Sequence, residues 1–169
     1  DTYVQFNDGG NFGGDSGLIY NKTSKALTCA GVITGTNIKT NATSLSTKLG
    51  IGAGNNEDES AARRNTYLGY QAGYSGTTGP NDCVSVGYQA GYSNTDDYNT
   101  NVGAQSGYTG SAASNRINLG YRAGYYETGS LKLFIDALDR TNEATARTDS
   151  IIYGVMNSTA SSQELYLNS

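Results

Sequence analysis

The sequence predicts an all-β chain built around a parallel β-solenoid. Three observations carry that expectation. A segment marked by glycine and tyrosine returns at nearly constant spacing, which is the signature of a repeat architecture. The residues just ahead of each copy alternate in polarity as a half-buried strand does. Composition completes the picture: glycine takes 23 of 169 positions, proline one, and much of the rest is Asn, Thr and Ser. Such a chain holds too little Leu, Ile, Val and Phe for a thick core. Its net charge of −4 is too small to hold it expanded.

Taken in order, residues 1–45 read as a β module. Tyr3-Val4-Gln5-Phe6 and Gly17-Leu18-Ile19-Tyr20 are short alternating stretches, with NDGG and FGG between them as turns. A further strand is expected in LTCAGVITGT, with Leu27, Cys29, Val32 and Ile33 as its apolar residues.

Residues 46–127 hold the repeat. The copies are LGIGAG, LGYQAGY, VGYQAGY, VGAQSGY and LGYRAGY, with first glycines at 50, 69, 87, 103 and 120. Steps of 16 to 19 residues suit one solenoid coil, expected here to carry two short strands. Leu49, Leu68, Val86, Val102 and Leu119 precede the first glycine. Thr47, Thr66, Val84, Thr100 and Ile117 lie two residues earlier. These two columns share one strand face and are expected to point inward. Lys48, Tyr67, Ser85, Asn101 and Asn118, between them, are mainly polar and are expected to point out. The small column Ala53, Ala72, Ala90, Ser106 and Ala123 reads as a tight inward position between glycine corners. Polar segments of variable length join the copies as surface loops.

Residues 128–169 include SLKLFIDAL and SIIYGVM, among the most apolar stretches of the chain, and end in QELYLNS. All three read as strands that cap the roll.

The iterated pattern N-x-x-L/V-G-Y-Q-A-G-Y resembles the left-handed parallel β-roll repeats of trimeric autotransporter adhesin heads and the similar repeats of bacteriophage and prophage tail fibres. The flanks resemble tail fibre sequence: Val4-Gln5-Phe6-Asn7-Asp8-Gly9-Gly10 with Leu18-Ile19-Tyr20-Asn21-Lys22-Thr23 upstream, and Leu131-Lys132-Leu133-Phe134-Ile135-Asp136 with Ser150-Ile151-Ile152-Tyr153-Gly154 downstream. Coils of 16 to 19 residues are longer than those of adhesin heads, which favours the tail fibre side of the resemblance. It implies an intertwined homotrimer in a virion tail fibre outside the cell, bound to other tail or fibre components and to a host-surface glycan or protein. A bacterial surface adhesin head is the second reading it implies. A polysaccharide depolymerase is the third.

Chemistry narrows the function classes. With no histidine in the chain, Ser-His-Asp and Cys-His nucleophilic sites are excluded, and ordinary zinc sites nearly so. A pI near 4.7 with no basic stretch argues against nucleic acid as a partner. No apolar run approaches the roughly 20 residues of a membrane span. Cys29 and Cys83, far apart in sequence, read as unpaired thiols, with a disulfide between them as the alternative. A two-carboxylate glycosidase would need to draw on Glu57, Asp58, Glu59, Asp96 and Asp97, which read as solvated loop charge rather than catalysts. The same loops are the only calcium candidates, and no cofactor is expected. The non-enzymatic reading therefore leads.

The candidate receptor or glycan contacts are three columns. Tyr70, Tyr88 and Tyr121 form one and Tyr74, Tyr92, Tyr108 and Tyr125 a second, with Gln71, Gln89, Gln105 and Arg122 as the third. Aromatic rings suit the apolar side of a sugar and amides its hydroxyls. The competing reading is that the tyrosines only cover a thin core.

Overall fold

The computed structural model describes residues 2–8, 11–20, 23, 27–29, 44–58, 60–74, 80–110 and 112–168. The expected Val32-Ile33 strand and Glu59 lie outside them. The chain divides into two compact units, Asp1–Lys39 and Thr40–Ser169.

The first unit is a three-stranded antiparallel sheet, β1 (Thr2–Asp8), β2 (Asn11–Tyr20) and β3 (Leu27–Cys29), in that order. Asp8 pairs with Asn11, as the NDGG turn signal predicts. Phe12-Gly13-Gly14 is not a turn: it lies inside β2, with Gly13 opposite Phe6 and Gly14 opposite Gln5.

The second unit is a parallel β-solenoid of about five turns. Its strands are β4 (Thr47–Leu49), β5 (Thr66–Leu68), β6 (Val84–Val86), β7 (Thr100–Val102), β8 (Ile117–Leu119) and β9 (Lys132–Ile135). Each pairs in parallel with the next, and the sequence columns are the pairing register: Thr66 opposite Val84, Tyr67 opposite Ser85, Leu68 opposite Val86. Each coil has one strand, not the expected two. The GYQAG segment is instead a turn laddered to its neighbours, with Gln89 N–H donating to Tyr70 C=O and Gly91 N–H to Ser106 C=O.

The two strand faces are the reverse of the expectation. Tyr67, Ser85, Asn101 and Asn118 are buried, and Phe134 joins them in the sixth strand. The flanking columns face out: Leu49 is 63% exposed, Leu68 43%, Ile117 39% and Leu119 36%. The reason is the depth of the interior. A Cβ on the second glycine of a copy would stand 2.1 Å from Tyr67 at Gly73 and 2.1 Å from Asn101 at Gly107. The strand-centre side chain thus rests on bare glycine backbone. The small column is inward as expected, with Ala72, Ala90, Ser106 and Ala123 buried.

A further inward column, four residues before the first glycine, holds Ser46, Asn65, Cys83, Asn99 and Arg116. Each of its first four side chains accepts the backbone N–H of the next coil: Ser46 Oγ from Asn65 (3.0 Å), Asn65 Oδ1 from Cys83 (2.8 Å), Cys83 Sγ from Asn99 (3.3 Å) and Asn99 Oδ1 from Arg116 (3.0 Å). These buried polar groups satisfy backbone donors at the corner where the strand begins. Cys83 is free, and burial pushes its thiol up to about 11. At Arg116 the guanidinium donates to the carbonyls of Glu127 (2.7 Å) and Gly110 (3.0 Å). A Cβ on Gly110 would overlap it.

Two columns of ordinary residues hold left-handed backbone. One is Leu45, Arg64, Asp82, Tyr98, Asn115 and Leu131, at φ 56° to 61°. The other is Gln71, Gln89, Gln105 and Arg122, at φ 51° to 55°, whose place in the first coil falls to Gly52. Coil lengths differ only between the eighth residue after the first glycine and the seventh before the next, as in 58–62 and 95–96.

Beyond β9 come α1 (Glu143–Asp149), β10 (Ile152–Val155) and β11 (Glu164–Leu167). The two strands pair antiparallel, extending the sheet to eight strands. The helix is not part of the all-β expectation. Asn142 caps it, accepting from Thr145 N–H (3.0 Å) while Thr145 Oγ1 accepts from Asn142 N–H (3.2 Å). It lays Ala146 on Ala123, Phe134 and Tyr153, an apolar plug at this end of the polar interior. Glu127, fully buried, accepts from Arg147 Nε (2.8 Å) and Nη2 (2.7 Å) and from Gly129 N–H (2.6 Å).

Gly103→Ala should be among the most damaging single changes, because φ is +129° and the new Cβ would sit 2.4 Å from Gly120 O. The expected loss is about 3 kcal/mol or more, against less than about 1 kcal/mol for Ser106→Ala in a column that already takes alanine, both read from urea unfolding. Burial opposes ionisation of Glu127, but the bonds from Arg147 and Gly129 outweigh it and hold the carboxyl below its usual range. A lowered folded-state pKa gives stability that is full above the unfolded value and lost as pH falls through the folded one. The urea midpoint should therefore drop between about pH 5 and pH 3, and Glu127→Gln should flatten that slope.

Candidate binding face

The GYQAGY turn places every candidate contact on one side of the stack. Because the backbones of successive turns are hydrogen-bonded in register, like residues come to lie one coil step apart. Tyr74, Tyr92, Tyr108 and Tyr125 form a continuous ladder, with centroids 5.0, 4.9 and 4.8 Å apart and planes within 10°. Arg122 closes it, its guanidinium carbon 4.5 Å from the Tyr125 centroid. Burial and the neighbouring phenols raise the pKa of Tyr92 and Tyr125 above the usual phenol range.

The middle column is a second ladder. Gln89 Nε2 donates to Gln71 Oε1 (2.9 Å), Gln105 Nε2 to Gln89 Oε1 (3.1 Å) and Arg122 Nε to Gln105 Oε1 (2.9 Å). Arg122 Nη1 continues it to Asp139, which raises the Arg122 pKa despite desolvation. Each amide thus spends part of its hydrogen-bonding capacity on its neighbour.

The outer column is incomplete. Tyr70 and Tyr88 stack at 5.6 Å with planes 8° apart. The next coil has Ala104, and the one after has Tyr121, lying 5.8 Å from the Arg122 guanidinium carbon. Tyr88 and Tyr121 are about half exposed.

The structure therefore brings all eleven candidate residues onto one face. It also changes what the rings present: inside a face-to-face stack both faces of a ring are covered, and solvent meets edges and hydroxyls. Sequence reasoning missed the corner column from Ser46 to Arg116, although the N of N-x-x-L/V-G-Y marks it. It also missed the break in the outer column, which the letter A in VGAQSGY records.

The loop carboxylates are committed locally. Glu57 is not solvated: it is buried, with Oε1 3.4 Å from Lys48 Nζ and Oε2 accepting from Asn65 Nδ2 (2.9 Å). Asp58 accepts from Ser60 and Arg63. Asp97 Oδ1 accepts from Asn81 N–H (2.7 Å) and Nδ2 (3.0 Å). Among the described residues, no group of three or more Cys, Asp or Glu is placed to hold a metal ion, and no helix is long and apolar enough to cross a membrane. No protein family, curated protein or solved structure matches the chain.

The ladder makes a graded prediction. Tyr108→Ser removes two ring stacks and should cost about 1–3 kcal/mol, and Tyr70→Ser, which removes one, about half of that, in matched urea titrations.

Proposed function

We propose that the chain is a non-catalytic structural segment of a phage-type tail fibre, wound as a left-handed β-roll, assembled as a homotrimer and contributing to attachment at a host surface. The observation that carries the reading is the outward face of the eight-stranded sheet. Leu49, Leu68, Val86, Val102, Leu119, Ile135, Ile152 and Leu167 lie in register across it. Seven steps of ~4.8 Å make that row roughly 34 Å long. A parallel row runs from Thr47 through Val84 and Leu133 to Leu165.

Apolar surface of this extent belongs against a partner. A partner that covers it along its full length needs apolar side chains at the same period, and another copy of this chain has them. Polar coil interiors and an apolar outer face are the inverse of a self-sufficient solenoid. They suit a structure whose dry core lies between chains. The resemblance of repeat and flanks to tail fibres sets the number at three and the setting at the virion exterior.

Sedimentation equilibrium of natively purified protein should give three times the chain mass, and the double variant Leu68→Asp/Val102→Asp should fall to a single chain. A monomeric wild type at micromolar concentration overturns the assembly.

A further inference from the structure

The break in the outer tyrosine column is a slot one ring wide. Ala104 is bonded into the ladder on both sides: Gln105 N–H donates to Tyr88 C=O (2.7 Å) and Arg122 N–H to Ala104 C=O (3.0 Å). The coils of Tyr88, Ala104 and Tyr121 are therefore consecutive. In the adjacent column the same two steps measure 4.9 and 4.8 Å. Tyr88 and Tyr121 thus stand roughly 10 Å apart, where each next-neighbour ring sits one coil step of ~4.8 Å away. Within the column, this is the one interior gap between two tyrosines.

We propose that this slot binds a single neutral pyranose ring. Its two walls are the Tyr88 and Tyr121 rings, 51% and 47% exposed, and its floor is the Ala104 methyl. A sugar ring midway sits about 5 Å from each wall, the spacing at which the neighbouring tyrosines stack. A puckered sugar, whose C–H groups stand off its mean plane on both faces, reaches both walls at once. The rim supplies polarity. Arg122 Nε is held by Gln105 Oε1 (2.9 Å) and Nη1 by Asp139, while Nη2 has no partner among the described residues and can donate to a ring hydroxyl. Asp139 compensates the Arg122 charge, so the site selects a neutral ring over an acidic one. The slot is built by one chain and goes beyond the fibre reading; loss of the trimer and loss of sugar binding are separate observations.

The test uses saturation-transfer NMR on the native protein with methyl glycosides of glucose, galactose, mannose and N-acetylglucosamine. At least one should receive saturation on its ring C–H protons with millimolar affinity. A104Y should weaken that binding at least tenfold while raising the melting temperature, since a tyrosine there completes two stacks and reports a folded protein. Tyr121→Ala should weaken it similarly, and Tyr74→Ser should leave it within twofold. Absence of transfer to every glycoside, or equal transfer with A104Y, overturns the proposal. Transfer to p-cresol without transfer to any sugar overturns the assignment of the ring.

Discussion

The solenoid interior is one side chain deep, and the rest of the repeat answers to that dimension. Coil backbone lies against coil backbone in register, so every column must fit itself at a step near 4.8 Å. At the first glycine a Cβ would strike the next coil's carbonyl, as Gly87 and Gly103 show, and at the second it would strike the strand-centre side chain. The centre holds Tyr67, Ser85, Asn101, Asn118 and Phe134, with half-buried Lys48 in the first coil. Rings serve at the two ends, where Ala53 and Ala72 or Ala123, Ala146 and Tyr153 pack against them. The middle is polar, with Asn118 Nδ2 donating to Asn101 Oδ1 (2.7 Å).

Stability in such a body comes from repetition more than from burial. Hydrophobic burial inside the coils is small, and the gain comes from backbone ladders, corner side chains that accept the next coil's amide, amide ladders and stacked rings. Each contribution is modest alone and recurs at nearly every coil. Two left-handed columns oppose it. The apolar row stays on the outer face and adds nothing to these interior contributions.

Repeat period, strand position and register were legible in the sequence because glycine spacing and backbone pairing are local facts. Thr66-Tyr67-Leu68 and Val84-Ser85-Val86 announce strands, and they are strands. Which face points inward was not legible. Alternation marks two faces and hydrophobicity names the inner one only when the core is deep enough to hold it. Here the second glycine decides, through a contact between a turn and a strand that no single column reveals. The helix at Glu143–Asp149 was more accessible: Asn142 before an Ala- and Thr-rich run carries a capping signal, overlooked beside the strand pattern. The eleven candidate residues line up as columns because the copies lie in register. Their stacking, which covers ring faces and occupies amides, follows from a coil step that the sequence does not state.

The coils differ in length at one corner only, between the eighth residue after the first glycine and the seventh before the next. The strand, the glycine turn and the left-handed columns, which stay in step, lie outside that stretch. The fold therefore works as a ruler with one slack edge: residues can be added or lost there without moving a rung. A change of length at that corner alters an exposed loop and leaves the columns in register. A lineage under pressure to change its outer surface has in that corner a place to do so while the columns keep their count.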